Sequence, residues 1–383
     1  MEYTGSMETR EKKGITFREL WGLCPVRHTL SLVSLAWLAV YFTTRNDQRW
    51  MALLCRTLVR PWHHTAGRLY SMVPFSAAEW VIVLWVLMGL GFLTQLVLHF
   101  RRRGEGRALY RWAVSLLTMV SVLFGLFSLW WGVCYYAGTF AGQAGLERRP
   151  IAAEELESVT EYFAELANEY SSRVERDADG VFTAEPRSLF DASETLYHAV
   201  ETRFPSLAGP ELRAKPAVFS RCMSLLNNTG FFFPYTAEAN VNVDCPMALI
   251  PATIAHELAH QRGVAGEDEA NFVGILACME NGDPRFVYSA ALMAYIYLGN
   301  ALHDTDYDAW HGIYLGLNGD VRRDLSVHNA YWARYDTRVK EVSDKVYEVF
   351  LETYGDDRGM KSYDACVDLL VLYYLDRAGV PAE

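Results

Sequence analysis

The sequence predicts an all-α transmembrane region followed by a mostly helical α+β domain with a small sheet. Three observations in the 383-residue chain indicate this organisation. Long uncharged apolar runs are confined to the first ~145 residues, and the remainder has the composition of an acidic globular protein. From Pro150 onward, apolar residues recur at intervals of three and four, as in amphipathic helices. Short aromatic or alternating stretches between residues 217 and 244 indicate strands. We therefore predict two parts, residues 1–145 and 146–383.

Three apolar segments predict transmembrane helices at about residues 28–44, 79–100 and 111–141. The second and third carry no formal charge over a length sufficient to cross a bilayer, and the first is the shortest. A fourth uncharged segment, 286–302, is short and contains Ser289, Gly299 and Asn300. We predict that it is a buried core helix, with a fourth span as the alternative.

Basic residues predict the orientation, because short cytoplasmic loops are enriched in Lys and Arg. The densest cluster lies between the second and third spans, and the N-terminal tail is also basic. The cluster is Arg101, Arg102, Arg103, Arg107 and Arg111, and the tail has Arg10, Lys12, Lys13, Arg18 and Arg27. We expect a multi-pass protein of the cell membrane with a cytoplasmic N-terminus and an extracytoplasmic C-terminal domain. The stretch 45–70 is expected to lie as an amphipathic segment on the outer surface.

Charge and cysteine content argue against a nucleic-acid-binding protein and against a disulfide-rich protein. The net charge of −11 argues against nucleic acid as a partner, because phosphate binding needs a basic surface. The seven cysteines contain no CxxC pair and do not form a framework of disulfides. A Cys222–Cys245 disulfide in an extracytoplasmic domain is the alternative to free thiols.

The segment His256-Glu257-Leu258-Ala259-His260 is the motif that most clearly indicates a chemical function. Pro251 suits the first turn of a helix and Gly263 suits its end, which predicts a short helix between them. His256 and His260 are four residues apart and share one face, so both imidazoles can bind one zinc ion. Glu257 projects on the adjoining side, where it can act as general base on a water molecule.

The acidic triplet Glu267-Asp268-Glu269 opens the next predicted helix and offers a third metal ligand. A catalytic zinc site needs three protein ligands and one open position. We predict Glu267 as the ligand, because Asn271 shares its face and can form a supporting hydrogen bond. Glu269 and Asp268 stay open as alternatives, and an acidic helix start can also serve the helix dipole. Manganese and cobalt are alternatives to zinc, although a His/His/Glu set suits zinc.

The pattern HELAH followed by E-x-x-A-N resembles the gluzincin arrangement of zincin metallopeptidases. More closely, the chain resembles DUF3810, a bacterial family of unknown function containing three-pass membrane proteins with a zincin domain. The matching stretches are 238–242, 254–261, 267–272, 342–347 and 362–363. Gly266 stands where metzincins have a third histidine, which argues against that subgroup. The resemblance implies a zincin-like fold and a zinc site, and it implies no particular substrate.

These observations together predict a membrane-anchored zinc metalloendopeptidase. The expected catalytic residue is Glu257, the expected zinc ligands are His256, His260 and Glu267, and the expected partners are the lipid bilayer and a peptide or protein substrate of the cell envelope. The alternative is a non-catalytic sensor or peptide-binding protein with a zincin fold. By analogy with zincins, we expect 239–243 to be an edge strand that binds substrate backbone. Candidate transition-state stabilisers are Tyr235, Arg323, His328 and Tyr331.

Overall fold

The computed structural model describes residues 16–102, 105–354 and 366–379. Several residues used above for orientation or family resemblance lie outside these ranges: Arg10, Lys12, Lys13, Arg103, Ser362 and Tyr363. The described chain is mostly helical and contains one small sheet, so the prediction of a mostly helical α+β protein is confirmed.

The described ranges contain nineteen α-helices. The first eight are α1 Phe17–Leu23, α2 Pro25–Thr44, α3 Gln48–Leu54, α4 Arg60–Ser71, α5 Ala77–Arg101, α6 Gly106–Phe127, α7 Val133–Tyr136 and α8 Phe140–Ala144. The others are α9 Ala153–Ser171, α10 Pro186–Ala192, α11 His198–Arg203, α12 Ser220–Leu225, α13 Ile250–Gln261, α14 Glu267–Asn281, α15 Pro284–Thr305, α16 Tyr307–Gly316, α17 Gly319–Ala333, α18 Arg338–Thr353 and α19 Cys366–Tyr374. The strands are β1 Lys215–Pro216, β2 Gly230–Phe233 and β3 Glu238–Val241. π-helical turns, Cys55–Val59 and Ser128–Gly132, join α3 to α4 and α6 to α7.

Within the described ranges, two helical stretches are long and apolar enough to cross a bilayer, which indicates a membrane protein. They are Ala77–Arg101 and Gly106–Tyr136, and they match the predicted spans at 79–100 and 111–141. The weakest predicted span, 28–44, forms α2. It meets the same criterion of length and composition only together with α1, from which it is bent by 96°.

The described chain divides into two compact units. Unit 1 contains the chain up to Phe42 together with Trp85–Leu126, and unit 2 contains Thr43–Leu84 and the chain from Phe127 onward. In unit 1, polar contacts join α2 to α6: the hydroxyls of Ser31 and Thr118 lie 2.9 Å apart, and the indole N–H of Trp37 donates to the carbonyl of Gly125 at 3.0 Å. Such bonds satisfy polar groups that an apolar environment would leave unpaired.

The core of unit 2 is built around α13, α14 and α15. Helix α9 packs along α15, and α19 packs against α9, α14 and α15. The side chains of Phe286, Tyr288 and Leu292 on α15 are fully buried. The prediction that 286–302 is a core helix is therefore confirmed.

The sheet of unit 2 has the strand order β1-β3-β2. Strand β3 pairs in parallel with β1 and antiparallel with β2, and α13 packs against both β2 and β3. The sheet therefore lies directly beside the helix that carries the two histidines.

Residues 43–84 group with unit 2, so the division by contacts falls elsewhere than at residue 145. The stretch predicted as an amphipathic surface segment forms α3, the π-helical turn Cys55–Val59 and α4. Val59 in the turn and His63 and Gly67 in α4 are buried. The indole N–H of Trp62 donates to the carbonyl of Pro234 at 2.9 Å. These contacts make α4 part of the unit that holds the candidate site.

Candidate metal centre

Helix α13 carries His256 and His260 on one side, with their ring centroids 4.6 Å apart. Pro251 lies in the first turn, where its missing N–H needs no partner. Gly263 has a φ of 89° and ends the helix in the left-handed conformation that glycine adopts without strain. All twelve residues of α13 are buried, so the polar side chains of the motif lie in the core.

Glu267, the first residue of α14, faces both imidazoles. Its Oε2 atom lies 3.2 Å from Nε2 of His256 and 3.5 Å from Nε2 of His260. These three side chains offer ligand atoms that all lie within 4.8 Å of one another. The structure therefore brings together the three residues that the sequence predicted as metal ligands.

The other two carboxylates of the acidic triplet point elsewhere. Asp268 forms an ion pair with Arg148. Glu269 accepts the backbone N–H groups of Phe140 at 2.7 Å and Ala141 at 2.8 Å, and it thereby satisfies the start of α8. Neither residue belongs to the group formed with the histidines, so Glu267 is the carboxylate that the geometry favours.

The two distances from Glu267 to the histidines fit a zinc site, and so does the chemistry of the donor atoms. Bonds of about 2.0–2.1 Å at tetrahedral angles separate two ligand atoms by roughly 3.3–3.4 Å, which agrees with the 3.2 and 3.5 Å observed here. Nδ1 of His260 lies 2.7 Å from the carbonyl oxygen of Val264 and, as the donor, leaves the lone pair of Nε2 directed at Glu267. The lone pairs of His260 Nε2 and Glu267 Oε2 would repel each other at this distance. A positive charge must therefore lie between these atoms, either a metal ion or a proton.

Charge couples the three residues strongly. Burial lowers the pKa of His260, but the Glu267 carboxylate outweighs burial and raises this pKa to about 9. Burial opposes ionisation of Glu267, yet the two imidazoles hold its pKa well below the usual range of a carboxyl group. The site is therefore built around an ionised carboxylate that attracts positive charge.

Glu257 lies beside this group, and its Oε2 atom is unpaired within the described chain. That oxygen is buried and has no hydrogen-bond partner among the described residues. Burial raises the pKa of Glu257 to about 7, while His256 and His260 oppose the shift. An unpaired buried carboxylate is costly to fold around, and groups of this kind are typical of functional sites.

Glycines let other backbones come close to the motif. A Cβ atom on Gly230 of β2 would lie 2.5 Å from Oε1 of Glu257. A Cβ atom on Gly274 of α14 would lie 2.9 Å from the backbone nitrogen of His256. The absence of a side chain at Gly274 therefore allows α14 to pack tightly on α13 and brings Glu267 within reach of the histidines.

Comparison with known proteins places the chain in a family. The profile of the family described as "Protein of unknown function (DUF3810)" matches residues 55–371. The chain belongs to the DUF3810 family. No curated protein and no solved structure matches it. The family description gives no activity, so inferences about function depend on the residues of the site.

One residue of this DUF3810 chain that contacts the site was not predicted as a functional residue. Tyr347 on α18 donates its hydroxyl to Oε1 of Glu267 at 2.5 Å. Glu267 thus has one oxygen toward the histidines and the other held by Tyr347. The only pointer in the sequence was the resemblance of 342–347 to the family, which gives no role to the tyrosine.

The four candidate transition-state stabilisers make their observed contacts elsewhere in the described chain. Tyr331 donates to Asp244 at 2.6 Å, and Arg323 pairs with Asp320. The ring of Tyr235 packs against Phe127 and Phe233, and that of His328 against Trp332. Cys222 and Cys245, considered above as a disulfide pair, are both free thiols.

The prediction that 239–243 is an edge strand is wrong. Strand β3 is the central strand, because it is hydrogen-bonded to β1 on one side and to β2 on the other. Its backbone is already paired and cannot accept a further strand. Strand β2 is at the edge of the sheet, and its Gly230 lies against Glu257.

Proposed function

We propose that this chain is a membrane-anchored zinc metallopeptidase. His256, His260 and Glu267 hold the metal, and Glu257 is the general base. The observation that carries the proposal is the buried convergence of two imidazole nitrogens and one carboxylate oxygen within 4.8 Å. An unpaired carboxylate on the neighbouring residue, Glu257, supports a hydrolytic role rather than a purely structural metal.

The chemistry divides between the metal and Glu257. A bound zinc ion supplies Lewis acidity and lowers the pKa of a water molecule to about 7. Glu257 accepts the proton from the attacking water and returns it to the leaving amine. Burial, which raises the pKa of Glu257 to about 7, prepares this carboxylate both to take up and to release a proton near neutral pH.

Strand β2 is the candidate for binding the substrate backbone. The N–H of Asn242 donates to the carbonyl of Thr229 at 2.9 Å, which makes these two residues a hydrogen-bonded pair. Because such pairs alternate along an antiparallel ladder, the carbonyl of Gly230 and the backbone groups of Phe232 point away from β3. An extended peptide can add to this edge next to Glu257.

A non-catalytic sensor or peptide-binding protein is the second candidate. It is favoured by the low exposure of the group: His256 is 9% exposed, and Glu257 and Glu267 are each 4% exposed. A peptide bond needs more access than this to reach the metal. The peptidase proposal therefore includes an opening movement of the site, which the sensor proposal does not need.

For the membrane topology, we propose three spans with a cytoplasmic N-terminus. The basic residues Arg101, Arg102, Arg107 and Arg111 between the two apolar helices support a cytoplasmic loop there. With three spans, the chain after about residue 145 lies outside the cytoplasm, where a peptide or protein of the cell envelope is the expected substrate.

The test is cleavage by the full-length protein in detergent, with Glu257→Gln as the main variant. Zinc-loaded wild type is incubated with a library of denatured proteins and peptides, and products are identified by mass spectrometry. We expect cleavage by wild type and none by Glu257→Gln, with equal zinc content in both samples. Equal cleavage by the two proteins would refute the role of Glu257, and zinc binding without cleavage would favour the sensor.

A further inference from the structure

Three buried charged side chains join the sheet of unit 2 to the first turn of α5. They are Lys215 of β1, Glu238 of β3 and Glu79 of α5, which are 7%, 4% and 4% exposed. Charged groups are rarely buried unless they are paired and hydrogen-bonded. At the start of an apolar helix, these three charges must therefore be compensated by hydrogen bonds and by one another.

Glu238 caps the start of α5. Its carboxylate accepts the backbone N–H groups of Ala77 at 3.1 Å and Ala78 at 2.7 Å, which have no partner within the helix. The ammonium of Lys215 donates to the same carboxylate at 2.6 Å and to the carbonyl of Phe75 at 3.0 Å. The sheet is thus bonded directly to the chain that enters α5.

Glu79 makes the reciprocal connection from the helix to the sheet. Its two oxygens accept the backbone N–H groups of Val218 at 2.8 Å and Phe219 at 2.7 Å. The loop that follows β1 is therefore held beside the first turn of α5. The charge-assisted hydrogen bonds of Glu79, Glu238 and Lys215 together fix the position of the loop relative to the start of the helix.

This joint displays an apolar surface around the start of α5, which we call the apolar collar. Its members have large side chains that are 40% to 80% exposed: Met72, Phe75, Trp80, Val218 and Phe219. The rings of Trp80 and Phe219 lie 6.2 Å apart in an edge-to-face arrangement. Large exposed apolar side chains grouped around one helix start mark an interaction site.

We propose that the apolar collar is immersed in the interfacial region of the bilayer, in the leaflet at the N-terminal end of α5. The occupant is lipid because Trp80 of the collar lies, with the exposed Leu84, on α5, a helix long and apolar enough to cross a bilayer. Trp80 has the side chain that is most typical of this depth in a membrane. Unit 2 is then seated on the membrane, and the joint holds its sheet at a fixed height above the lipid.

The test is site-specific labelling of full-length protein in lipid nanodiscs. Val218→Cys is labelled with an environment-sensitive fluorophore in a Cys222→Ser, Cys245→Ser background, which removes the exposed and partly exposed native thiols. The control is Leu315→Cys, which is similarly exposed at 58% and lies on α16, packed against α9 and α15. Quenching is measured with aqueous iodide and with lipid carrying a nitroxide at its headgroup.

At Val218 we expect strong quenching by the nitroxide lipid and several-fold weaker quenching by iodide than at Leu315. Equal iodide quenching at both positions would show that the collar lies in water and would overturn the proposal. Protection of Val218 from both quenchers would also overturn it, because protein, such as a second copy of the chain, would then cover the collar. Thermal unfolding of the labelled proteins verifies that both variants are folded.

Discussion

Glu267 divides its two carboxylate oxygens between two neighbours, and this division decides how it can hold a metal ion. Oε2 faces the Nε2 atoms of His256 and His260, and Oε1 accepts the hydroxyl of Tyr347. Tyr347 therefore restrains the carboxylate so that one oxygen alone faces the two histidines. Partners of this kind fix the orientation of a ligand and contribute to metal affinity.

Replacing Tyr347 by phenylalanine is expected to lower zinc affinity by about 10- to 100-fold. The hydroxyl that orients Glu267 is lost, while the ring stays in place against Phe350. Competition with a chromogenic chelator measures the affinity in full-length protein. Tyr354→Phe is the matched control, because Tyr354 adjoins the same helix and its hydroxyl lies 3.3 Å from that of Ser128. An affinity equal to wild type in Tyr347→Phe would show that Glu267 needs no such restraint.

Gly230 is expected to tolerate no side chain, because a Cβ atom there would lie 2.5 Å from Oε1 of Glu257. Gly230→Ala should displace this carboxylate by roughly an ångström and reduce peptide cleavage by about 100-fold, with zinc content unchanged. Gly312→Ala serves as the control, since a Cβ atom at Gly312 has nothing within 4 Å. Cleavage at the wild-type rate in Gly230→Ala would contradict the proposed position of the general base.

The common orientation of the two candidate histidine ligands could be predicted from the sequence on simple geometric grounds. A separation of four residues on a helix places His256 and His260 on one face. The choice of Glu267 over Glu269 depended on which side of α14 meets α13, which the sequence does not state directly. Tyr347 lies 80 residues beyond Glu267 in the chain, and no local pattern connects them.

At the scale of elements, the acidic start of α14 serves two different purposes. Glu267 faces the histidines, whereas Glu269 caps α8 through the N–H groups of Phe140 and Ala141. The sequence left both as metal-ligand candidates because they belong to the same acidic triplet. Their different contacts make the two roles separable by mutation.

Glu269→Ala should destabilise the protein by about 1–3 kcal/mol, because two backbone donors lose their partner, and it should leave zinc content unchanged. Glu267→Ala should instead remove zinc. Thermal unfolding and elemental analysis of the two variants are compared in the same detergent. If Glu269→Ala lost zinc and Glu267→Ala kept it, the assignment of the third ligand would be reversed.

The sheet shows where pattern alone is insufficient. Alternation over 239–243 correctly indicated a strand, but the strand order depends on long-range pairing with β1 and β2. Strand β1 has only two residues, Lys215 and Pro216, and is too short to produce a recognisable pattern. The central position of β3 could therefore not be read from its own residues.

For the whole molecule, hydropathy and packing divide the chain differently. Long apolar runs correctly located two helices able to cross a bilayer. Hydropathy reports which surfaces avoid water and does not report which segments pack together. Residues 43–84 and 127–145 were predicted within the N-terminal membrane region, and by their contacts they group with unit 2.

A fragment of residues 146–383 is accordingly expected to be unstable and to bind zinc more weakly than the full chain. It lacks Phe140, whose buried ring packs against Phe204 and Phe272, and losing such a side chain alone typically costs about 3–5 kcal/mol. It also lacks Trp131, whose ring contacts that of His260. Circular dichroism and thermal unfolding of the fragment measure this. An unfolding temperature equal to that of full-length protein would contradict the assignment of these segments to unit 2.

The zinc content of purified full-length protein tests the proposed metal centre most directly. Wild type, His256→Ala and Glu257→Gln are loaded with zinc, freed of excess metal and analysed by elemental mass spectrometry. We predict one zinc ion per chain in wild type and in Glu257→Gln, and almost none in His256→Ala, because His256 is a proposed ligand and Glu257 is not. No zinc in the wild type, or as much zinc in His256→Ala as in the wild type, would contradict the assignment of His256, His260 and Glu267 as a metal centre.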